Sequence, residues 1–118
     1  MATVLIIEDE EPIANLIKMR LEEEGYSTIV SYTGAEGLKQ IEKQHPEALS
    51  LDIHLPDIDG RKILEKIRSE KNNICVIVVS SDDAEKECKE KGANDFVKKP
   101  INFSKLIDSI KKGSKKEE

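Results

Sequence analysis

Tryptophan is absent, and the 118-residue chain carries only two tyrosines, two phenylalanines, two cysteines and two histidines. Tyr26, Tyr32, Phe96 and Phe103 are too few to build a base-stacking platform for single-stranded nucleic acid. Cationic excess is also lacking: 19 Lys and Arg against 24 Asp and Glu leave a net charge of −5. That balance argues against direct nucleic-acid binding and against an anionic-membrane surface, both of which need a basic footprint. Long apolar runs are missing too. The longest, Ile74 to Val79, falls far short of a membrane span. Acidic residues from Glu8 onward do not resemble a secretory leader, so a cytoplasmic location without membrane insertion is expected. Cys75 and Cys88 have neither CxxC spacing nor histidine partners and read as buried thiols in a reducing compartment. His45 and His54 stand alone, which gives no zinc site.

What the chain does have is a 37% hydrophobic content rich in Ile, Leu and Val, enough for one core. Short apolar runs alternate with helical patterns. Val4–Ile7, Ser27–Ser31, Glu47–Leu51, Ile74–Val79 and Asn94–Val97 read as strands. The first helix opens at Pro12 and carries Ile13, Leu16, Ile17 and Leu21 at helical spacing, with Gly25 as its stop. Thr33-Gly34-Ala35-Glu36 has the form of a capping box before Leu38 and Ile41. Ile63, Leu64 and Ile67 mark a third helix. A weak fourth is expected near Asp83–Lys91 with only Ala84 and Cys88 to bury, and Leu106, Ile107 and Ile110 mark a fifth. Five βα units with right-handed crossovers predict an α/β, flavodoxin-like doubly wound (βα)5 fold, with a parallel sheet in the order 2-1-3-4-5.

Ligands of such sheets bind beyond the carboxyl ends of the strands. Glu8 and Asp9 follow the first strand and Asp52 ends the third. Ser80 and Ser81 follow the fourth, and Lys98 and Lys99 the fifth. Taken singly, each has a bland role: a helix-start acid, a cap, a solvated lysine. Taken together, they converge on one edge. Three close carboxylates repel one another and tend to keep their protons. A hard divalent cation with an open, all-oxygen shell relieves this, which favours Mg2+. A cation, a carboxylate, a hydroxyl and a lysine describe a phosphoryl-binding site, with the single, central Asp52 the best candidate nucleophile.

Four ordered blocks then carry a resemblance: Leu5-Ile6-Ile7-Glu8-Asp9-Glu10, Leu51-Asp52-Ile53-His54-Leu55-Pro56-Asp57-Ile58-Asp59-Gly60, Val76-Ile77-Val78-Val79-Ser80-Ser81, and Gly92-Ala93-Asn94-Asp95-Phe96-Val97-Lys98-Lys99-Pro100. Each stands at a strand end, and together they resemble the signature blocks of two-component response-regulator receiver domains, from Thr3 to about Lys112. The resemblance implies Asp52 as phosphoacceptor. Glu8, Asp9, Asp52 and the His54 backbone carbonyl would be the Mg2+ (or Mn2+) site. Ser80, Lys99 and the aromatic Phe96 would be the phosphoryl-binding and switch residues, and Pro100 would follow a cis peptide. It also implies a sensor histidine kinase or histidine phosphotransfer protein as donor. Output would pass through an unidentified protein or a domain outside this chain, with phosphorylation-dependent dimerisation left open.

Three departures stand out. The interval from Ser80 to Lys99 is short and resembles the receivers of hybrid kinases; position 81 is Ser; and Asp82 lies near the phosphoryl approach. His54 and Asp82 both flank the path of an attacking water, so both are expected to tune hydrolysis of an acyl phosphate. The receiver is expected over residues 1–112, with 113–118 a polar tail or the start of a linker. Two rivals remain. One is a small Mg2+-dependent aspartyl-phosphate phosphatase, weakened because His54 stands where its acid would be. The other is a receiver-like interaction domain that works without phosphorylation. A flavin module lacks its phosphate loop. The resemblance implies no enzyme beyond assistance to the chain's own phosphorylation and autodephosphorylation.

Overall fold

Val4, Leu5, Ile6 and Ile7 are all fully buried, which happens only to a strand covered on both faces. In the computed structural model, which describes residues 2–114, this strand, β1 (Thr3–Ile7), lies inside a parallel sheet. Side chains alternate across it. Leu5 and Ile7 enter one apolar cluster, and Val4 and Ile6 enter the other. The remaining elements are α1 (Glu11–Glu23), β2 (Ser27–Ser31), α2 (Gly34–Gln44), β3 (Ala48–Asp52), α3 (Gly60–Ser69), β4 (Cys75–Ser80), α4 (Glu85–Glu90), β5 (Asp95–Lys98) and α5 (Phe103–Ser114). The strand order is β2-β1-β3-β4-β5, the order expected from the five βα units. Among the described residues, no helix is long and apolar enough to cross a membrane.

The two clusters assign the helices to faces. Ala14, Ile17 and Leu21 of α1 and Leu106, Ile107 and Ile110 of α5 cover one side. Ile41 of α2, Ile63, Leu64 and Ile67 of α3, and Cys88 of α4 cover the other. Leu16, expected on the inward stripe of α1, is 46% exposed. It precedes Ile17 by about 100° of helix rotation, and that turn carries it off the stripe set by Ala14, Ile17 and Leu21.

Helix α4 is shorter than its expected span of Asp83–Lys91. Ser80 Oγ accepts the Asp82 backbone N–H at 3.0 Å, and the Asp83 carboxylate pairs with Lys98, so both residues belong to a turn rather than a helix. Ala84 at the N-cap offers no side-chain acceptor. At the other end of the chain, α5 runs two residues into the segment expected as a tail. Gly113 fits there because a Cβ would come within 2.0 Å of Cys75 Sγ, and Ser114 Oγ donates to the Ile110 carbonyl at 2.6 Å. The remainder of that tail, residues 115–118, lies outside the described residues.

Candidate functional site

The parallel register brings the carboxyl ends of four strands together. Ile7 pairs with Leu51 and Asp52 with Val79, while Ser80 pairs with Lys98. Beyond those ends lie Glu8, Asp52, Ser80 and Lys99, the residues the sequence places there. Glu8, Asp52 and Ser80 are 2%, 3% and 0% exposed. Lys99 Nζ lies 3.1 Å from Glu8 Oε1, 3.5 Å from Asp52 Oδ2 and 3.6 Å from Glu10 Oε2. The Lys99 N–H donates to the Ser80 carbonyl at 2.8 Å, anchoring the lysine at the end of the neighbouring strand. The Lys99–Pro100 peptide is cis, as the resemblance implies.

Main-chain groups orient the two buried carboxylates. Asp52 Oδ1 accepts the His54 N–H at 3.1 Å, and Glu8 Oε2 accepts the Glu10 N–H at 3.2 Å. Gly60 sets the path of the chain after Asp52. Its N–H donates to the Ile53 carbonyl at 2.7 Å, and a Cβ at residue 60 would lie 2.4 Å from the Asp52 carbonyl oxygen. No other residue allows so close a backbone approach.

Electrostatically the site holds more negative charge than one lysine can answer. Burial, then the Asp52 charge, pushes Glu8 up to about 7, against the pull of the Glu10 N–H and Lys99. Burial raises Asp52 as well, opposed by Lys99 and the His54 N–H. For Lys99, burial works against the ammonium, but the Asp52 and Glu8 carboxylates outweigh it and raise its pKa. Glu8 Oε1 is buried and accepts no hydrogen bond, its contact with Lys99 being an ion pair at 3.1 Å. Oxygen donors of this kind, crowded and under-neutralised, fit a hard divalent cation. Carboxylate oxygens of Glu8, exposed Asp9 and exposed Glu10 all lie within 4.8 Å of one another.

Sequence reasoning did not single out Glu10. Its only signal is a third consecutive acid after the strand, which in isolation reads as a solvated helix start. Asp57 was missed too. Its carboxylate accepts the N–H groups of Gly34 and Ala35 at 2.8 and 2.9 Å, capping α2 from the loop that follows the Asp52 strand. The Thr33 half of the expected capping box forms, with Oγ1 accepting the Glu36 N–H at 3.1 Å.

His54 and Asp82 meet across the mouth of the site, with Nε2 and Oδ2 2.9 Å apart and both side chains substantially exposed. Phe96, the expected switch aromatic, is 3% exposed and packs in the cluster that holds Ala84, Cys88 and Ala93.

The response regulator receiver domain family model matches residues 4–111. Among solved structures, the chain is 30% identical to the receiver domain of the Francisella response regulator 1452, with a TM-score of 0.94 and 98% of each chain covered. A CheY-like response regulator receiver domain protein of Methanospirillum hungatei is 31% identical at a TM-score of 0.88, covering 97% of this chain and 94% of the other. A sensor protein of Polaromonas is 26% identical at a TM-score of 0.86, covering 96% of this chain and 95% of that one.

Proposed function

The chain belongs to the response regulator receiver domain family, and from that premise we propose that it is a phosphorylation-driven switch whose phosphoacceptor is Asp52. The observation that supports this most is the placement of Lys99 Nζ between two buried carboxylates, 3.5 Å from Asp52 and 3.1 Å from Glu8. A buried carboxylate with an ammonium beside it is both a nucleophile and a ready cradle for the charge it acquires.

An Asp52 carboxylate oxygen attacks the phosphorus of a phosphohistidine presented by a sensor histidine kinase or histidine phosphotransfer protein. The P–O bond forms as the P–N bond breaks, and the departing imidazole keeps the electron pair and is protonated. Mg2+ (or Mn2+), held by Glu8, Asp9, Asp52 and the His54 backbone carbonyl, would supply neutralisation of the transferring oxygens. Lys99 shifts from the carboxylates toward the phosphoryl group, whose charge is roughly −2 where the carboxylate was −1. Ser80, whose Oγ accepts the Asp82 N–H, moves to donate its hydroxyl to a phosphoryl oxygen, and that movement breaks the contact with Asp82.

The switch follows from that movement. Releasing Asp82 frees the turn before α4, and α4 buries only Cys88, so it is the low-stability part able to repack against α5 and β5. Phe96, buried on that face of the sheet, repacks together with α4 and its turn. The chain turns over no external substrate; its chemistry is its own phosphorylation and autodephosphorylation. Cytoplasmic action fits a donor that is a kinase or a phosphotransfer protein.

The test is incubation with Mg2+ and acetyl phosphate, followed by intact mass and gel filtration. One added phosphoryl mass, lost in Asp52→Asn, is expected, and gel filtration reads any dimer formed with it. Phosphoryl mass retained in Asp52→Asn would overturn the assignment.

A further inference from the structure

Lys99 is shared between inside and outside. Its ammonium lies at nearly equal distances from buried Asp52, at 3.5 Å, and from Glu10, at 3.6 Å, whose side chain is 59% exposed. Glu10 is also locked to the site through its main chain, since its N–H donates to Glu8 Oε2 at 3.2 Å. Its carbonyl accepts the Ala14 N–H at 2.9 Å, so it is the residue on which α1 starts. Its side chain does not cap that helix. It reaches Lys99 instead, and it can bring an oxygen within 4.8 Å of oxygens of Glu8 and Asp9. Buried Glu8 Oε1 accepts no hydrogen bond and meets the same Lys99 ammonium as an ion pair at 3.1 Å, which leaves it able to ligate a cation.

We propose that Glu10 is a positioning residue for the phosphoryl reaction: its carboxylate holds Lys99 outward and adds negative charge to the cation site. The proposal rests on the receiver reading above. Glu10 therefore acts with opposite sign on the two ligands of the site. It attracts a divalent cation. It opposes a phosphoryl group on Asp52, both by competing for Lys99 and by direct repulsion. One unit charge at this range, in partly solvated surroundings, changes an equilibrium by about three- to fivefold.

The test compares wild type, Glu10→Gln and Glu10→Asp. Mn2+ binding is followed by the electron paramagnetic resonance of the free ion. Binding of beryllium fluoride, a phosphoryl mimic, is followed by calorimetry at saturating Mg2+. Glu10→Gln, which keeps the shape and removes the charge, is expected to weaken Mn2+ binding by about three- to fivefold while tightening beryllium fluoride by a similar factor. Glu10→Asp keeps the charge with less reach, so its Mn2+ affinity should stay near wild type while its beryllium fluoride affinity rises part of the way. Urea midpoints should match across all three proteins, since the side chain is exposed.

Unchanged affinities in Glu10→Gln, or two shifts of the same sign, would overturn the role of Glu10 while leaving the receiver reading intact. Wild-type protein that binds neither Mn2+ nor beryllium fluoride would overturn both.

Discussion

Asp57 closes the N-terminus of α2 from 23 positions away, accepting the Gly34 N–H at 2.8 Å. The adjacent Ala35 N–H, at 2.9 Å, goes to the other oxygen of the same carboxylate. The loop leaving the Asp52 strand is thereby fastened to a helix outside the site, which limits where Asp52 can move. Substituting Asp57→Ala should lower the urea midpoint at neutral pH, because two helix-terminal donors lose their acceptor. The N–H groups of Ala35 and Gly34 hold the Asp57 pKa below the ordinary carboxylate value. A pKa depressed on folding contributes stability that is present above the unfolded value, near 4, and is lost as pH falls through the folded one. The gap between wild type and Asp57→Ala should therefore narrow on acidification below about pH 4. A gap constant from pH 7 to pH 3 would refute the cap as the source.

Gly60 is the second fastening. A methyl group there would sit 2.4 Å from the Asp52 carbonyl oxygen and 2.8 Å from Ile53 Cα, both main-chain atoms with nowhere to go. Gly60→Ala should destabilise the protein by about 1–3 kcal/mol, the usual scale for overpacking. It should also slow phosphorylation of Asp52 by acetyl phosphate in the fraction that remains folded. Urea unfolding and a mass time course measure the two effects separately. Unaltered stability would mean that the helix start can shift without strain.

The strands and their order were legible because burial on both faces leaves an unbroken apolar signature, as in Val4–Ile7 and Val76–Val79. Glu8, Asp52 and Ser80 could be grouped because each stands directly after such a run, and Lys99 because it lies one residue beyond the short β5; the topology carries these strand ends to one edge. What was not legible depends on partners remote in sequence. Asp57 is an ordinary loop acid until Gly34 is known to face it. Glu10 is an ordinary helix-start acid until Lys99 is placed 3.6 Å away. The true extent of α4 was hidden for a related reason. Its sequence buries one residue, and polar ties to other elements set its ends, including Asp83 to Lys98 before it and the Arg68 guanidinium donating to the Gly92 carbonyl after it.

Those ties make a prediction about α4. Arg61 bonds Asp59, the N-cap of α3, and reaches Glu87 on α4 at 3.0 Å, while Lys91 reaches Glu65 of α3 at 2.6 Å. Exposed pairs of this kind are screened by solvent and contribute little to global stability. Glu87→Ala should accordingly leave global unfolding within about 1 kcal/mol of wild type. Its effect should appear locally, as faster hydrogen exchange of amides in residues 85–91 and little change in β1 and β3. Equal acceleration throughout the sheet would show that α4 opens only with the whole molecule.

The His54–Asp82 bridge makes a prediction about the lifetime of a phosphoryl group on Asp52. The two side chains meet at 2.9 Å over the mouth of the site, one from the loop after β3 and one from the turn after β4. The hydrogen bond to Asp82 is the chief cause raising the His54 pKa, so the pair is held together by charge as well as geometry. On the receiver reading, the pair flanks the approach of water to the phosphorus opposite the bridging oxygen of the Asp52 acyl phosphate. His54→Ala and Asp82→Ala should each shorten the acyl-phosphate lifetime by a few-fold, and the double variant should be little worse than either, because both remove one barrier. Decay of the phosphoryl mass after rapid removal of acetyl phosphate gives the rates. Lifetimes equal to wild type in both single variants would show that the bridge lies off the water's path. Fully multiplicative effects would show that the two side chains act separately rather than as a pair.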